Sequence, residues 1–215
     1  MRSVEWRYGV AVLMVGCLVQ VFAGATSAQE RYVDLEVIKA LREGGHVLIM
    51  RHAEANPDQF DQDPRNFRVI KRQQQLTERG RTSARAFGTA VRSIGTRIGD
   101  VHTSLFHRAF ETAVEAGYKG AKATIDLTEG SLVASPNEQR RRAAGFRRLI
   151  VAPMAAGTTR LIVSHRVNIA QALGKEWYDV KEGEVSIFRI DKGAYALLAR
   201  IQIDEWSRLV SASKS

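Results

Sequence analysis

Two short apolar runs, His46-Val47-Leu48-Ile49-Met50 and Leu161-Ile162-Val163-Ser164, constrain the fold of this chain more than any other feature. Each is the length of a strand, is rich in β-branched residues and reads as buried in a sheet. The segments between them carry helical spacing instead. Val33, Val37, Ile38 and Leu41 recur along 30–43, and Gly44-Gly45 ends that helix. Thr77 is an N-cap before Ala84, Phe87, Val91 and Ile94. Ala109, Ala113 and Ala116 follow a second short strand, Asp100 to Thr103, and Pro136 opens a helix with Ala143, Phe146 and Ile150 on one side. A third strand is expected over Ala123 to Leu127, and a helix over Val167 to Leu173. The tail changes to two strand-like runs, Val185 to Ile190 and Ala194 to Ile203, joined by the three residues Asp191-Lys192-Gly193. The predicted fold is α/β: a three-layer sandwich with a mostly parallel mixed sheet, helices on both faces and a C-terminal hairpin. Residues 56–75 carry Pro57, Pro64 and many polar side chains, and read as a long loop with a short helix near Phe67 to Arg72.

The N-terminus has a separate character. Arg2 and Arg7 precede an apolar stretch, Val10 to Ala23, and Thr26-Ser27-Ala28 supplies small residues suited to cleavage. Residues 1–28 therefore read as a secretory signal and 29–215 as a single domain, exported to the periplasm or beyond. An uncleaved anchor is the rival reading, but the stretch is shorter than the ~20 residues a span needs. Met14-Val15-Gly16-Cys17 has some likeness to a lipoprotein cleavage box, yet the apolar run continues past the cysteine. Cleavage after Ala28 leaves 187 of the 215 residues, without Cys17, the chain's one cysteine. Disulfides, thiol catalysis and cysteine-based metal sites are then excluded. The net charge of +9 raises the question of nucleic-acid binding. The basic residues are scattered apart from Arg140-Arg141-Arg142 and Arg147-Arg148, without an aromatic stacking motif near them, so a nucleic-acid partner is not expected.

Both core strands end in histidine, at His52 and His165, and Arg51 precedes the first. In open α/β sheets, ligands bind at the carboxyl ends of strands. Imidazole is a nucleophile near neutral pH, and guanidinium matches phosphate oxygens with a planar fork. Arg108 follows the turn after the second strand. Together these residues suggest attack on phosphorus, with arginine holding the charge that spreads over the phosphoryl oxygens. His46 and His102 read as structural, His107 as a possible flank of the pocket. No His-x-x-x-His or cysteine cluster marks a metal site.

Several segments, in order, resemble the histidine phosphatase superfamily in its phosphoglycerate-mutase-like branch. They are Arg51-His52-Ala53-Glu54, Leu76-Thr77-Glu78-Arg79-Gly80, Ser104 with Arg108-Ala109 and Thr112-Ala113, Ile162-Val163-Ser164-His165, and Gly183-Glu184-Val185. The resemblance implies a phosphoric monoester hydrolase of the histidine acid phosphatase type, with no cofactor or metal. His52 would become a phosphohistidine, while Arg51, Arg108 and His165 would bind the phosphate. A proton donor is implied at Glu129, in Leu127-Thr128-Glu129, with Asp126 and Glu138 as competitors. The chain departs from the pattern at Arg166, where glycine is usual. Arg166, Asn168 and Gln73 to Gln75 are further candidates for ligand contact. The expected partner is a small phosphorylated substrate, with no stable membrane span after signal cleavage and no oligomeric state indicated. Specificity is expected in 55–75 and 128–140. The rival readings are a phosphoprotein phosphatase or mutase, and a non-catalytic anion-binding exported protein retaining the fold.

Overall fold

The strands are His46–Arg51 (β1), Ile98–Ser104 (β2), Lys122–Thr124 (β3), Thr159–Ser164 (β4), Val185–Asp191 (β5) and Ala194–Ile201 (β6). They form one sheet in the order β3-β2-β4-β1-β5-β6. The first four in that order are mutually parallel, while β5 runs antiparallel to β1 and β6 antiparallel to β5. The computed structural model describes residues 31–130 and 133–214. The signal segment expected over 1–28 lies outside them. Among the described residues no helix is long and apolar enough to cross a membrane.

The helices are 31–43 (α1), Glu78–Ile94 (α2), His107–Glu115 (α3), Pro136–Val151 (α4), Arg166–Leu173 (α5) and Trp206–Ala212 (α6). Side chains alternate across a strand, so β1 sends Leu48 and Met50 to one face and Val47 and Ile49 to the other. The first pair packs against α1, α2, α3 and α6, the second against α4 and α5. Both faces of the central strands are thus covered, and the expected three-layer mixed sheet is observed. Within α1 the buried stripe is Asp34, Val37, Ile38 and Leu41; Val33, expected on that stripe, is exposed.

Three elements differ from expectation. β3 stops at Thr124, because the Thr124 side chain accepts a hydrogen bond from Asp126 N and the Thr128 hydroxyl donates to Thr124 O. These local bonds turn Ile125–Leu127 into a 3-10 turn instead of more strand. Asp191 pairs with Ala194, so the hairpin loop has two residues, Lys192 and Gly193, not three. Both have positive φ, as a type I′ turn requires. Finally, α6 follows a stretch read as strand to Ile203. Its Trp206 is buried edge-on against Phe87 of α2, with ring centroids 4.9 Å apart.

Candidate active site

The parallel register of the two central strands builds the site. Arg51 of β1 lies opposite Ser164 of β4, so the next residue on each strand is a histidine at the same sheet edge. His52 N donates to Ser164 O at 3.0 Å, and the two imidazole centroids stand 5.2 Å apart, tilted by 58°. The turn after β1 is pinned from two sides. Gly183 N donates to the carbonyls of Arg51 and His52, and Ala53 N donates to the Thr112 hydroxyl of α3 at 3.0 Å.

Those pins fix the chemistry of the His52 ring. Its Nδ1 lies 2.8 Å from Ala53 O. A carbonyl oxygen only accepts, so Nδ1 carries the proton and the lone pair is on Nε2. Burial holds the His52 imidazole well below the usual histidine range, and the Arg108 charge pushes the same way. Burial and then Arg108 do likewise at His165, helped by His52 and Arg51. Both rings are therefore neutral at pH 7. The nitrogens of His165 are buried without a hydrogen-bond partner, although its ring packs edge-on against Phe106. An unpaired polar group in such a place carries a desolvation cost that an anionic ligand would relieve.

Arg108 lines an open cleft, and its charge acts on both histidines. Its guanidinium lies 4.6 Å from the Phe106 ring centroid. One terminal nitrogen, Nη1, meets both oxygens of Asp61 at 3.0 and 3.1 Å; the other, Nη2, lies 3.6 Å from Glu129 Oε2. The same Glu129 oxygen is 3.8 Å from His165 Nδ1. The cleft, of about 200 Å³, is walled by Asp61, Gln74, Phe106, Arg108, Glu129 and their neighbours. Neither histidine is in this wall; His165 touches it through Phe106 and Glu129, and His52 lies behind His165.

The other sequence candidates separate clearly. Arg51 is at the site, but its fork is taken up: Nη1 donates to Val180 O and Nη2 pairs with Glu182, both at 3.0 Å. Its Nε is buried and has no hydrogen-bond partner. Asp126 points away, paired with Arg141 at 2.7 Å. Glu138 lies in the first turn of α4, where hydrogen bonds from Arg141 and Arg142 pull its carboxyl down to about 2. A group so acidic does not hold a proton to donate near neutral pH. Arg166 is exposed at the start of α5 and is not in the cleft wall. Asn168 donates to Thr128 O at 3.1 Å, so it braces the segment that presents Glu129. Gln74 lines the cleft, whereas buried Gln73 bonds Phe67 O and accepts from His107 N. His46 bonds Gly44 O, and His102 bonds Asp100, as structural histidines do.

Sequence reasoning missed Asp61, Phe106 and Glu182. Asp61 sits in a loop without periodicity, where one acidic residue among Asp58, Asp61 and Asp63 looks like another. Phe106 carried no signal beyond its place before Arg108. Among the described residues no cluster of three or more His, Cys, Asp or Glu side chains is arranged to hold a metal ion.

No protein-family model matches the chain, and no curated protein matches it. Solved structures do. The structure of the protein histidine phosphatase SixA complexed with tungstate is 20% identical, with a TM-score of 0.54 over 74% of this chain and 98% of that one. A putative alpha-ribazole-5'-P phosphatase from Escherichia coli is 18% identical, with a TM-score of 0.52 over 72% and 94%. YhfR of Bacillus stearothermophilus is 19% identical, with a TM-score of 0.52 over 71% and 94%. At this identity the likeness establishes architecture. The chain shares the fold of these solved structures.

Proposed function

We propose that this protein hydrolyses phosphate monoesters through a phosphohistidine on His52. The observation that carries the reading is the His52 ring: neutral, its Nδ1 proton committed to Ala53 O, and placed against a second imidazole beside Arg108. In the reaction, Nε2 attacks phosphorus and the ester P–O bond breaks. The phosphoryl oxygens take hydrogen bonds from Arg108 and from Nε of Arg51. The incoming dianion reverses the electrostatic sign of the pocket, so it draws a proton onto His165, which then stabilises the spreading charge. Water next attacks the phosphohistidine, returning His52 and releasing inorganic phosphate.

Glu129 is the proton donor to the leaving oxygen in this proposal. It lines the cleft and lies near both Arg108 and His165, positions that Asp126 and Glu138 do not share. The other cleft carboxylate, Asp61, has both oxygens on Arg108, and Oδ1 also accepts from Gln74 N. A cleft of about 200 Å³ suits a small phosphorylated substrate. The SixA comparison structure holds tungstate, a phosphate-like oxyanion, which makes tungstate a fitting probe here. From the sequence of residues 1–28 we further propose that the enzyme works outside the cytoplasm.

The test is turnover of an aryl phosphate by the purified protein and by His52→Ala. The account expects turnover that the substitution abolishes. Equal turnover by both, or binding of tungstate without any turnover, would overturn it; the latter outcome would indicate an anion-binding protein that keeps the fold.

A further inference from the structure

Asp61 has no task in the chemistry just described, and it works against phosphate binding by already occupying Arg108. It is nevertheless firmly held. Gln74 N donates to its Oδ1 at 3.0 Å, Gln62 N bonds Arg72 O at 2.8 Å, and Gln74 Nε2 bonds Asn56 O at 2.8 Å. Asp61 is thus a built part of the cleft wall.

The charge of that wall is lopsided. Among the described residues its ionisable members are Arg108, Asp61 and Glu129; the side chains around them include Gln59, Phe60, Gln74 and Val133, which carry none. Once the phosphoryl group takes Arg108, the part of the cleft left for the rest of the substrate presents carboxylate, amide and aromatic surface. None of the described residues of the wall then compensates a second negative charge. Arg166 is outside it.

We infer that Asp61 is a specificity-determining residue, which restricts the enzyme to phosphate monoesters whose leaving group is uncharged or cationic. The inference rests on the phosphatase reading above. Leaving groups bearing a carboxylate or a second phosphate are rejected by like-charge repulsion across the cleft. Hydroxyl or amino groups are accepted by Asp61 and Gln59, and a flat face by Phe60, which is 79% exposed at the rim.

The experiment compares kcat/KM for 4-carboxyphenyl phosphate and 4-carbamoylphenyl phosphate, which have nearly the same shape and differ in one charge. The carboxy-to-carbamoyl ratio is measured in the wild type, in Asp61→Asn and in Phe60→Lys. Comparing ratios between enzymes cancels the difference in leaving-group acidity and any general loss of rate. Asp61→Asn removes the repulsion, and Phe60→Lys adds a cation at an exposed position where packing is little affected. Each should raise the ratio by about tenfold, given the cost of juxtaposed like charges. An unchanged ratio in Asp61→Asn overturns the inference; if that variant does not fold, an unchanged ratio in Phe60→Lys does so. A wild type that turns over neither ester overturns the phosphatase reading as well, whereas turnover with unaltered ratios sinks this inference alone.

Discussion

At the scale of single residues, two imidazoles are kept neutral in a place built for charge. The sign of the resulting pH dependence follows directly. The folded-state pKa values of His52 and His165 both lie below the 6.5 of a free imidazole. As pH falls through that value the unfolded chain binds protons first, so their contribution to stability is full above 6.5 and is lost below it. Thermal melts from about pH 7.5 to 5 should therefore show a steeper acid loss for the wild type than for a His52→Gln, His165→Gln double variant. Identical slopes would contradict the assignment. Tungstate should flatten the wild-type slope, because its charge favours the protonated rings. A second residue-scale prediction concerns Glu129. Glu129→Gln should slow alkyl phosphates by ~10²–10⁴-fold, the usual range for general acid catalysis, and affect good aryl leaving groups far less. Equal losses in steady-state kinetics on both substrate types would remove Glu129 from that role.

At the scale of elements, the start of α2 bears on the placement of His52. Thr77 caps the helix through a bond from Gly80 N, and its hydroxyl donates to Glu54 Oε1 at 2.8 Å. Gly80 packs against the turn after β1 so closely that a Cβ there would stand 2.1 Å from Glu54 O, with backbone on the receiving side. Gly80→Ala should push that turn, two residues from His52, out of place. The expected result is a lower melting temperature together with at least about a tenfold loss of kcat/KM, since small misplacements of reacting groups are costly. A destabilised variant with wild-type kcat/KM would show that the contact serves folding alone. Sequence patterns revealed α2, α4, β1 and β4 because burial of a whole face imposes a period on the residues. They failed where local or distant contacts decide. Thr124 and Thr128 turn the chain at the end of β3, and α6 has little beyond Trp206 and Leu209 to mark it.

At the scale of the molecule, the site is a meeting of segments far apart in the chain. His52 and His165 come together because β1 and β4 are parallel neighbours in one fixed register. The meeting of the two strand-end histidines was legible, since a buried run shows where a strand ends, and Arg108 stood out as a member of a spaced motif. The cleft wall was not. Asp61 reaches Arg108 across 47 positions from an aperiodic loop, and Glu182 reaches Arg51 across 131, pairings that composition and period do not encode. The same register is what the central claim stands on, because it sets the imidazole proposed as nucleophile beside the second one. The most direct test is to quench the wild type during turnover of a ³²P-labelled aryl phosphate and locate the label by peptide mapping. The account predicts an acid-labile, alkali-stable phosphate on His52 that is absent from His52→Ala. Label on another residue, or full turnover without any phosphoenzyme in a rapidly quenched sample, would contradict it.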